Sequence, residues 1–202
     1  MGEYMKKEIK TQPKKYNKAH IWALICIFVA VTCALLFSIW ATVYVAKEND
    51  NAWILADCVF VMAAAASVVW YAIFGHKHGN WTRCIPLALI AISLCVSIGT
   101  DGYSDGDGDK LKASLDCFFQ ALLIGVIVFA GASYKKPKVA QIAFTVALIM
   151  SIALCCYWCI EIGGFDDWSS KQQIAWSLWC WSTPALICSM QVSYILDNLK
   201  NK

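Results

Sequence analysis

Six long apolar runs determine what this chain can fold into. They lie at His20–Ala46, Ala52–Phe74, Cys84–Gly99, Ala113–Ser133, Val139–Gly163 and Ile174–Leu196. A helix needs about 20 apolar residues to cross the ~30 Å hydrocarbon core of a bilayer. Hydrophobic residues make up 59 % of the 202-residue chain, whereas charged residues make up only 15 %. We therefore predict an all-α, polytopic integral membrane protein with six transmembrane helices.

The runs also set the domain organisation. Residues 20–196 form the predicted six-helix transmembrane domain, preceded by a basic segment at 1–19 and followed by a short tail at 197–202. These two flanking segments leave no room for a soluble catalytic or nucleic-acid-binding domain. We expect no nucleic acid partner, no cofactor and no enzymatic activity.

The basic residues predict the orientation. Most of the 17 lysine and arginine residues lie at the amino terminus, in the loops at 75–83 and 134–138, and in the tail, whereas the other three loops are acidic. Because positive charge concentrates on the cytoplasmic side, both termini should be cytoplasmic in a multi-pass protein of the cell membrane. The six helices would then form three consecutive helical hairpins. The lipid bilayer is the first predicted partner, and the basic inner rim suits anionic lipid.

An internal repeat runs through this layout. The segment ILADCVF at 54–60 recurs as ASLDCFF at 113–119, and a third copy, WSLWCWS at 176–182, has Trp179 in place of the aspartate. A position six residues into a helix lies roughly 8–9 Å below its end. Three helices that run from outside to inside should therefore carry Asp-Cys, Asp-Cys and Trp-Cys at about the same depth.

The two repeated acids, Asp57 and Asp116, are the strongest candidates to contact a solute. A charge at the bilayer centre costs about 2.5–3.5 kcal/mol, so carboxylates in spans usually face a hydrated cavity or a partner. We expect the two to converge on one chamber near the outer surface. The alternative is that each lies near the positive end of its helix dipole, close to the interface. Glu161, just before a Gly-Gly break, belongs either to the chamber or to the interface.

Tryptophan adds an aromatic wall to this chamber. An interfacial belt explains most of the ten tryptophans. Trp176 and Trp179 share a helix face while Trp181 points elsewhere, so at least one of the three should face the bundle. Aromatic rings beside carboxylates suit a cationic or flat amphipathic solute. The predicted substrate-binding residues are Asp57, Asp116, Glu161, Trp176 and Trp179.

Two prolines interrupt predicted spans. Pro86 lies near the start of the third run and Pro184 lies inside the sixth. Proline removes a backbone hydrogen bond, and in a bilayer such breaks occur at kinks or at cavities. A short or interrupted helix pair indicates a transport path, and a simple kink is the alternative.

Two further residue sets are secondary metal candidates, although we predict no metal site. Three acids with the spacing of a calcium loop are Asp105, Asp107 and Asp109. Lys110 stands where that loop needs a glycine, so a solvated acidic loop is the alternative. Three cysteines at one predicted depth could bind a soft metal, and they are Cys58, Cys117 and Cys180.

The layout resembles that of small vitamin-uptake membrane proteins. It combines six short-looped spans, tryptophan-rich helices and a basic amino terminus. The substrate-binding subunits of energy-coupling transporters and the nicotinamide riboside permeases are built in this way, but the tryptophan-and-asparagine signature of those permeases is missing. The resemblance extends over the whole chain, implies uptake of a small solute and identifies no residue.

The leading functional prediction is a transporter, or a solute-binding uptake subunit, for a small cationic or aromatic solute that enters from the outer face. Coupling would come from a gradient, facilitated diffusion or a separate coupling subunit, and a homo-oligomer is a further alternative. The second hypothesis is a non-transporting membrane module: a sensor, a pore-forming effector or a complex subunit. The third is a thiol-disulfide or metal-binding membrane protein, based on the C-x-x-C pair Cys156 and Cys159.

Overall fold

The computed structural model describes residues 18–46, 52–78, 83–104, 110–162 and 169–200, and within these ranges the chain is helical without strands. The predicted segments 1–19 and 197–202 therefore lie partly outside the described residues. The helices are α1 (Lys18–Ala41, continued by a π-helical turn at Thr42–Ala46), α2 (Ala52–His78), α3 (Cys84–Ser104), α4 (Lys110–Ala132), α5 (Pro137–Ile162), α6 (Ser170–Cys180) and α7 (Ser182–Lys200). The all-α prediction is confirmed.

Four of these helices are long and apolar enough to cross a membrane. They are Ile21–Val45, Ile54–Ile73, Ser114–Ala132 and Pro137–Glu161. The apolar part of α3, Cys84–Ile98, is shorter. Many large apolar side chains point outward, including Trp22, Ile142 and Ile160. Such a surface fits lipid, where helices are favoured because they satisfy their own backbone hydrogen bonds.

The sixth apolar run forms two helices instead of one. Ser169 caps the start of α6: its hydroxyl accepts from the backbone N–H of Gln172, whose side chain accepts from the backbone N–H of Ser169. α6 ends at Cys180, and α7 begins at Ser182 after the single residue Trp181. Pro184 has no backbone N–H to donate to a carbonyl four residues earlier, which accounts for the interruption.

The helices pack in a ring. Each of α1 to α5 contacts the next helix in the chain, and α6 and α7 contact both α5 and α1, which closes the ring. α2 also packs against α7. Alanines without exposed surface, among them Ala34, Ala64, Ala65 and Ala147, let neighbouring helices approach closely.

A group of polar contacts lies at the end of α4 that is opposite to Asp116. The Tyr194 hydroxyl on α7 donates to the backbone carbonyl of Tyr134 at 2.9 Å. The guanidinium of Arg83 lies over both rings, 5.2 Å from the Tyr134 centroid and 5.4 Å from the Tyr194 centroid. These contacts join the start of α3, the turn after α4 and the last part of α7.

Candidate functional site

Asp57 lies in the second turn of α2, and its side chain points into the bundle. Only 2 % of the residue is exposed. The hydroxyl of Ser93 on α3, itself buried, donates a hydrogen bond to Oδ1 of Asp57. A hydrogen bond to a carboxylate is stronger than one between neutral groups, and it offsets part of the cost of burying the acid. The aspartate of the first repeat therefore joins α2 to α3.

Asp116 occupies the equivalent place near the start of α4 and is 8 % exposed. The indole N–H of Trp158 on α5 lies 3.0 Å from Oδ1 and 3.0 Å from Oδ2. The side-chain amide of Gln120, one turn further along α4, donates to Oδ2 at 2.9 Å. The aspartate of the second repeat therefore joins α4 to α5, and two donors stabilise its negative charge.

The two carboxylates have different hydrogen-bond donors on different helix pairs. Among the described residues, α2 and α4 share no substantial interface. The structure thus brings each predicted acid together with a polar group of the next helix in the chain. Convergence of Asp57 and Asp116 on one chamber stays a prediction.

A cluster of tryptophan and cysteine side chains lies where α1, α2, α5 and α6 meet; we refer to it as the Trp–Cys cluster. Its buried members are Ala41, Val45, Ile54, Cys58, Cys155, Ala175, Trp179 and Cys180. Its partly buried members are Tyr44, Trp158, Cys159 and Trp176. Cys58 follows Asp57 directly in the chain, and Trp158 donates to Asp116. The cluster is therefore linked to one carboxylate by sequence and to the other by a hydrogen bond.

The predicted aromatic wall lies within this cluster. The rings of Trp176 and Trp179 are 4.7 Å apart between centroids, with planes tilted by 55°. Trp179 is 7 % exposed, whereas Trp181 is 40 % exposed. Glu161 is half-buried in the last turn of α5. Trp176 and Trp179 thus lie together, close to Trp158 and to the thiols of the cluster.

The break between α6 and α7 leaves two polar groups unsatisfied. Nε1 of Trp179 and Oγ of Ser182 are both buried and have no hydrogen-bond partner in the described part of the chain. A buried polar group without a partner costs about 1–3 kcal/mol. Trp158, by contrast, has Asp116 as the acceptor for its N–H. Within the described part of the chain, the break is therefore a place where two buried polar groups have no hydrogen-bond partner.

No protein family, curated protein or solved structure shows a significant match to this chain. The three side chains that donate to the two aspartates were not among the predicted site residues: Ser93, Gln120 and Trp158. Gln120 could have been identified, because an amide four residues after an aspartate on a helix is a known stabilising pair.

The secondary metal candidates are separated. The calcium candidates Asp105, Asp107 and Asp109 lie outside the described residues. Of the soft-metal candidates, Cys58 and Cys180 belong to the Trp–Cys cluster, whereas Cys117 is half-buried on α4. Within the described ranges, no group of three or more His, Cys, Asp or Glu side chains is arranged to hold a metal ion.

Proposed function

We propose that this protein binds a small solute within the membrane and carries it inward from the outer face of the cell. The solute-binding residues in this proposal are Asp57, Asp116, Glu161, Trp176 and Trp179. Six spans in three hairpins, with both termini cytoplasmic, would place the Trp–Cys cluster near the outer surface. Energy would come from a gradient or from a separate coupling subunit, and a homo-oligomer could form the working unit.

One observation carries this proposal: two buried carboxylates lie on helices that share no substantial interface among the described residues. Asp116 accepts a hydrogen bond from Trp158 of the Trp–Cys cluster, and Asp57 directly precedes Cys58 of the same cluster in the chain. Buried acids in membrane helices are costly and mark solute or ion pathways. If Asp57 and Asp116 served only to join helices, neutral polar side chains could do so at lower cost.

The chemistry of the cluster favours a solute with a flat or cationic group. Trp176 and Trp179 present two neighbouring rings, 4.7 Å apart between centroids. A cation over a tryptophan face gains about 0.5–2 kcal/mol, depending on how far it is desolvated. A carboxylate nearby adds an attraction that grows stronger away from water.

A second candidate function is supported by the hydrogen bonds of the acids. Asp57 accepts from Ser93, and Asp116 accepts from Trp158 and Gln120. These contacts could exist solely to hold the helices together, as expected of a non-transporting membrane module. In the first function the negative charges of Asp57 and Asp116 attract a solute, whereas in the second they only accept hydrogen bonds from neighbouring helices.

A thermal-shift screen of the purified protein against vitamins, nucleosides, amines and metal ions tests the proposal. Asp57→Asn and Asp116→Asn keep an oxygen that accepts hydrogen bonds but remove the charge. We expect one class of solute to raise the unfolding temperature of the wild type and to lose its effect in both variants. Ser93→Ala is the matched control, because it removes the donor and leaves the charge of Asp57. A screen without stabilisation would favour the membrane module.

A further inference from the structure

The break between α6 and α7 bears two buried polar groups that no described residue satisfies. We propose that Trp179 Nε1–H and Ser182 Oγ–H form a binding point for an oxygen atom of a small solute that accepts hydrogen bonds. This proposal rests on the solute-binding function above and adds a chemical class to it. The solute carries a carbonyl or carboxylate oxygen next to an apolar surface.

The hydroxyl of Ser182 differs from those of the other buried serines. Six described serines are buried, and the other five all donate to an acceptor: Ser38, Ser93, Ser151, Ser189 and Ser193. Four of these five donate to a carbonyl three or four residues earlier on their own helix. Ser182 has no exposed surface and no acceptor among the described residues. The Ser182 hydroxyl is therefore removed from bulk water without a hydrogen bond to any described residue.

The two groups are close in the chain and flank the break. Trp179 and Ser182 are three residues apart, and Trp181 between them has a helical backbone with φ −69° and ψ −10°. Residues three apart on a helix lie on the same side. Both are buried, so that side faces the bundle.

The surroundings decide which part of a solute would lie here. The Trp–Cys cluster around Trp179 consists of apolar, aromatic and thiol side chains. The Lys171 ammonium lies at the rim, 6.0 Å from the centroid of the Tyr44 ring. An indole N–H only donates hydrogen bonds, so it selects an acceptor and rejects an ammonium group. A cationic group would instead be attracted by Asp57 and Asp116.

Three probes of similar size separate these possibilities: benzamide, benzoate and benzylammonium. The first two carry an acceptor oxygen on a flat ring, and the third carries a cation without an oxygen. Isothermal titration of the full-length protein in lipid nanodiscs measures their affinities. We expect benzamide or benzoate to bind the wild type, and Trp179→Phe and Ser182→Ala each to weaken that affinity about tenfold.

Two further variants test whether a loss of affinity comes only from a general loss of fold. Ser182→Thr keeps the hydroxyl and should retain most of the affinity. Ser189→Ala removes a serine whose hydroxyl bonds to the Ala185 carbonyl, so it should leave the affinity unchanged and lower the unfolding temperature. Ser182→Ala should not lower the unfolding temperature of the unliganded protein, because the hydroxyl makes no hydrogen bond to any described residue.

Several results would overturn the proposal. The first is that neither benzamide nor benzoate binds to the wild type. The second is that wild type and Ser182→Ala bind these probes with equal affinity. The third is that Ser182→Ala lowers the unfolding temperature as much as Ser189→Ala does. Benzylammonium reports separately on the acids. If benzylammonium fails to bind while benzamide binding depends on Ser182, the result supports the oxygen site. It contradicts the proposed attraction of a cationic group by Asp57 and Asp116.

Discussion

The indole N–H of Trp158 on α5 donates to the carboxylate of Asp116 on α4, with 3.0 Å to each oxygen. Ser93 on α3 donates to Asp57 on α2 in the same way. The aspartate of each repeat is thus bound by a side chain from the next helix. In each helix pair a hydrogen bond from the second helix offsets part of the cost of burying the acid, and for Asp116 the donor is a member of the Trp–Cys cluster.

The bond from Trp158 should contribute measurably to stability. We expect Trp158→Phe to lower the free energy of unfolding by about 1–2 kcal/mol, because Asp116 then keeps only Gln120 as a described donor. Equilibrium unfolding in mixed micelles measures the change. Trp22→Phe is the control: it removes an indole from an exposed position on α1 and should have little effect.

A double-mutant cycle separates the bond from packing losses. Trp158→Phe and Asp116→Asn should be non-additive, since both remove the same charge-assisted contact. If the two changes add independently, the hydrogen bond contributes nothing and Trp158 acts only through packing.

The bond between Ser93 and Asp57 should behave similarly. Ser93→Ala leaves a buried carboxylate without this donor, so we expect a loss of about 1–3 kcal/mol in the free energy of unfolding. Ser67→Ala is a matched control on α2, where the hydroxyl donates only within its own helix, to the Ala64 carbonyl. That change should cost only a few tenths of a kcal/mol. Equal losses for the two variants would contradict the joining role of Asp57.

Close packing between α3 and α4 gives a third prediction. A Cβ atom at Gly131 would lie 2.9 Å from Cδ1 of Leu87, which is buried and must move. Gly131→Ala should therefore be about 1 kcal/mol less stable than Gly125→Ala, as measured by thermal unfolding, and Leu87→Val should reduce this difference. Gly125 has no heavy atom within 4 Å of such a Cβ. Gly125→Ala should be neutral or stabilising, and a loss there equal to that at Gly131 would refute the packing argument.

The cap of α6 gives a fourth prediction. Ser169→Ala removes the hydroxyl that accepts from the Gln172 N–H and should cost about 1 kcal/mol of stability. α6 carries Trp176 and Trp179, so fraying of this helix should also weaken solute binding. Ser169→Asp, which keeps a good capping side chain, should retain both properties. Tryptophan fluorescence during thermal unfolding can report the change.

The helices of this protein were predictable because apolar runs of span length leave little choice of structure in a bilayer. The runs at 52–74 and 113–133 correspond closely to α2 and α4. The break in the sixth run was less predictable. Pro184 was visible in the sequence, but proline can kink a helix as well as end it. The structure shows one helix that ends at Cys180 and another that begins at Ser182.

The candidate site was predictable in its acids and less so in their partners. Asp57 and Asp116 stood out because charges in apolar runs are costly. Their donors could not be read from the sequence in the same way: Ser93 and Trp158 lie 36 and 42 residues away, and only the packing of helices brings them close. Serine is common in membrane helices and usually bonds to its own backbone, so nothing distinguished Ser93 from Ser151.

In the proposed function, Asp57 and Asp116 act on one solute. The most direct test measures the affinity of the solute with the largest thermal shift for the wild type, Asp57→Asn, Asp116→Asn and the double variant. We expect each single change to weaken binding at least tenfold and the double change to be clearly non-additive, because both charges attract the same molecule. Unchanged affinity in all three variants would contradict the claim and leave the acids with a purely structural role.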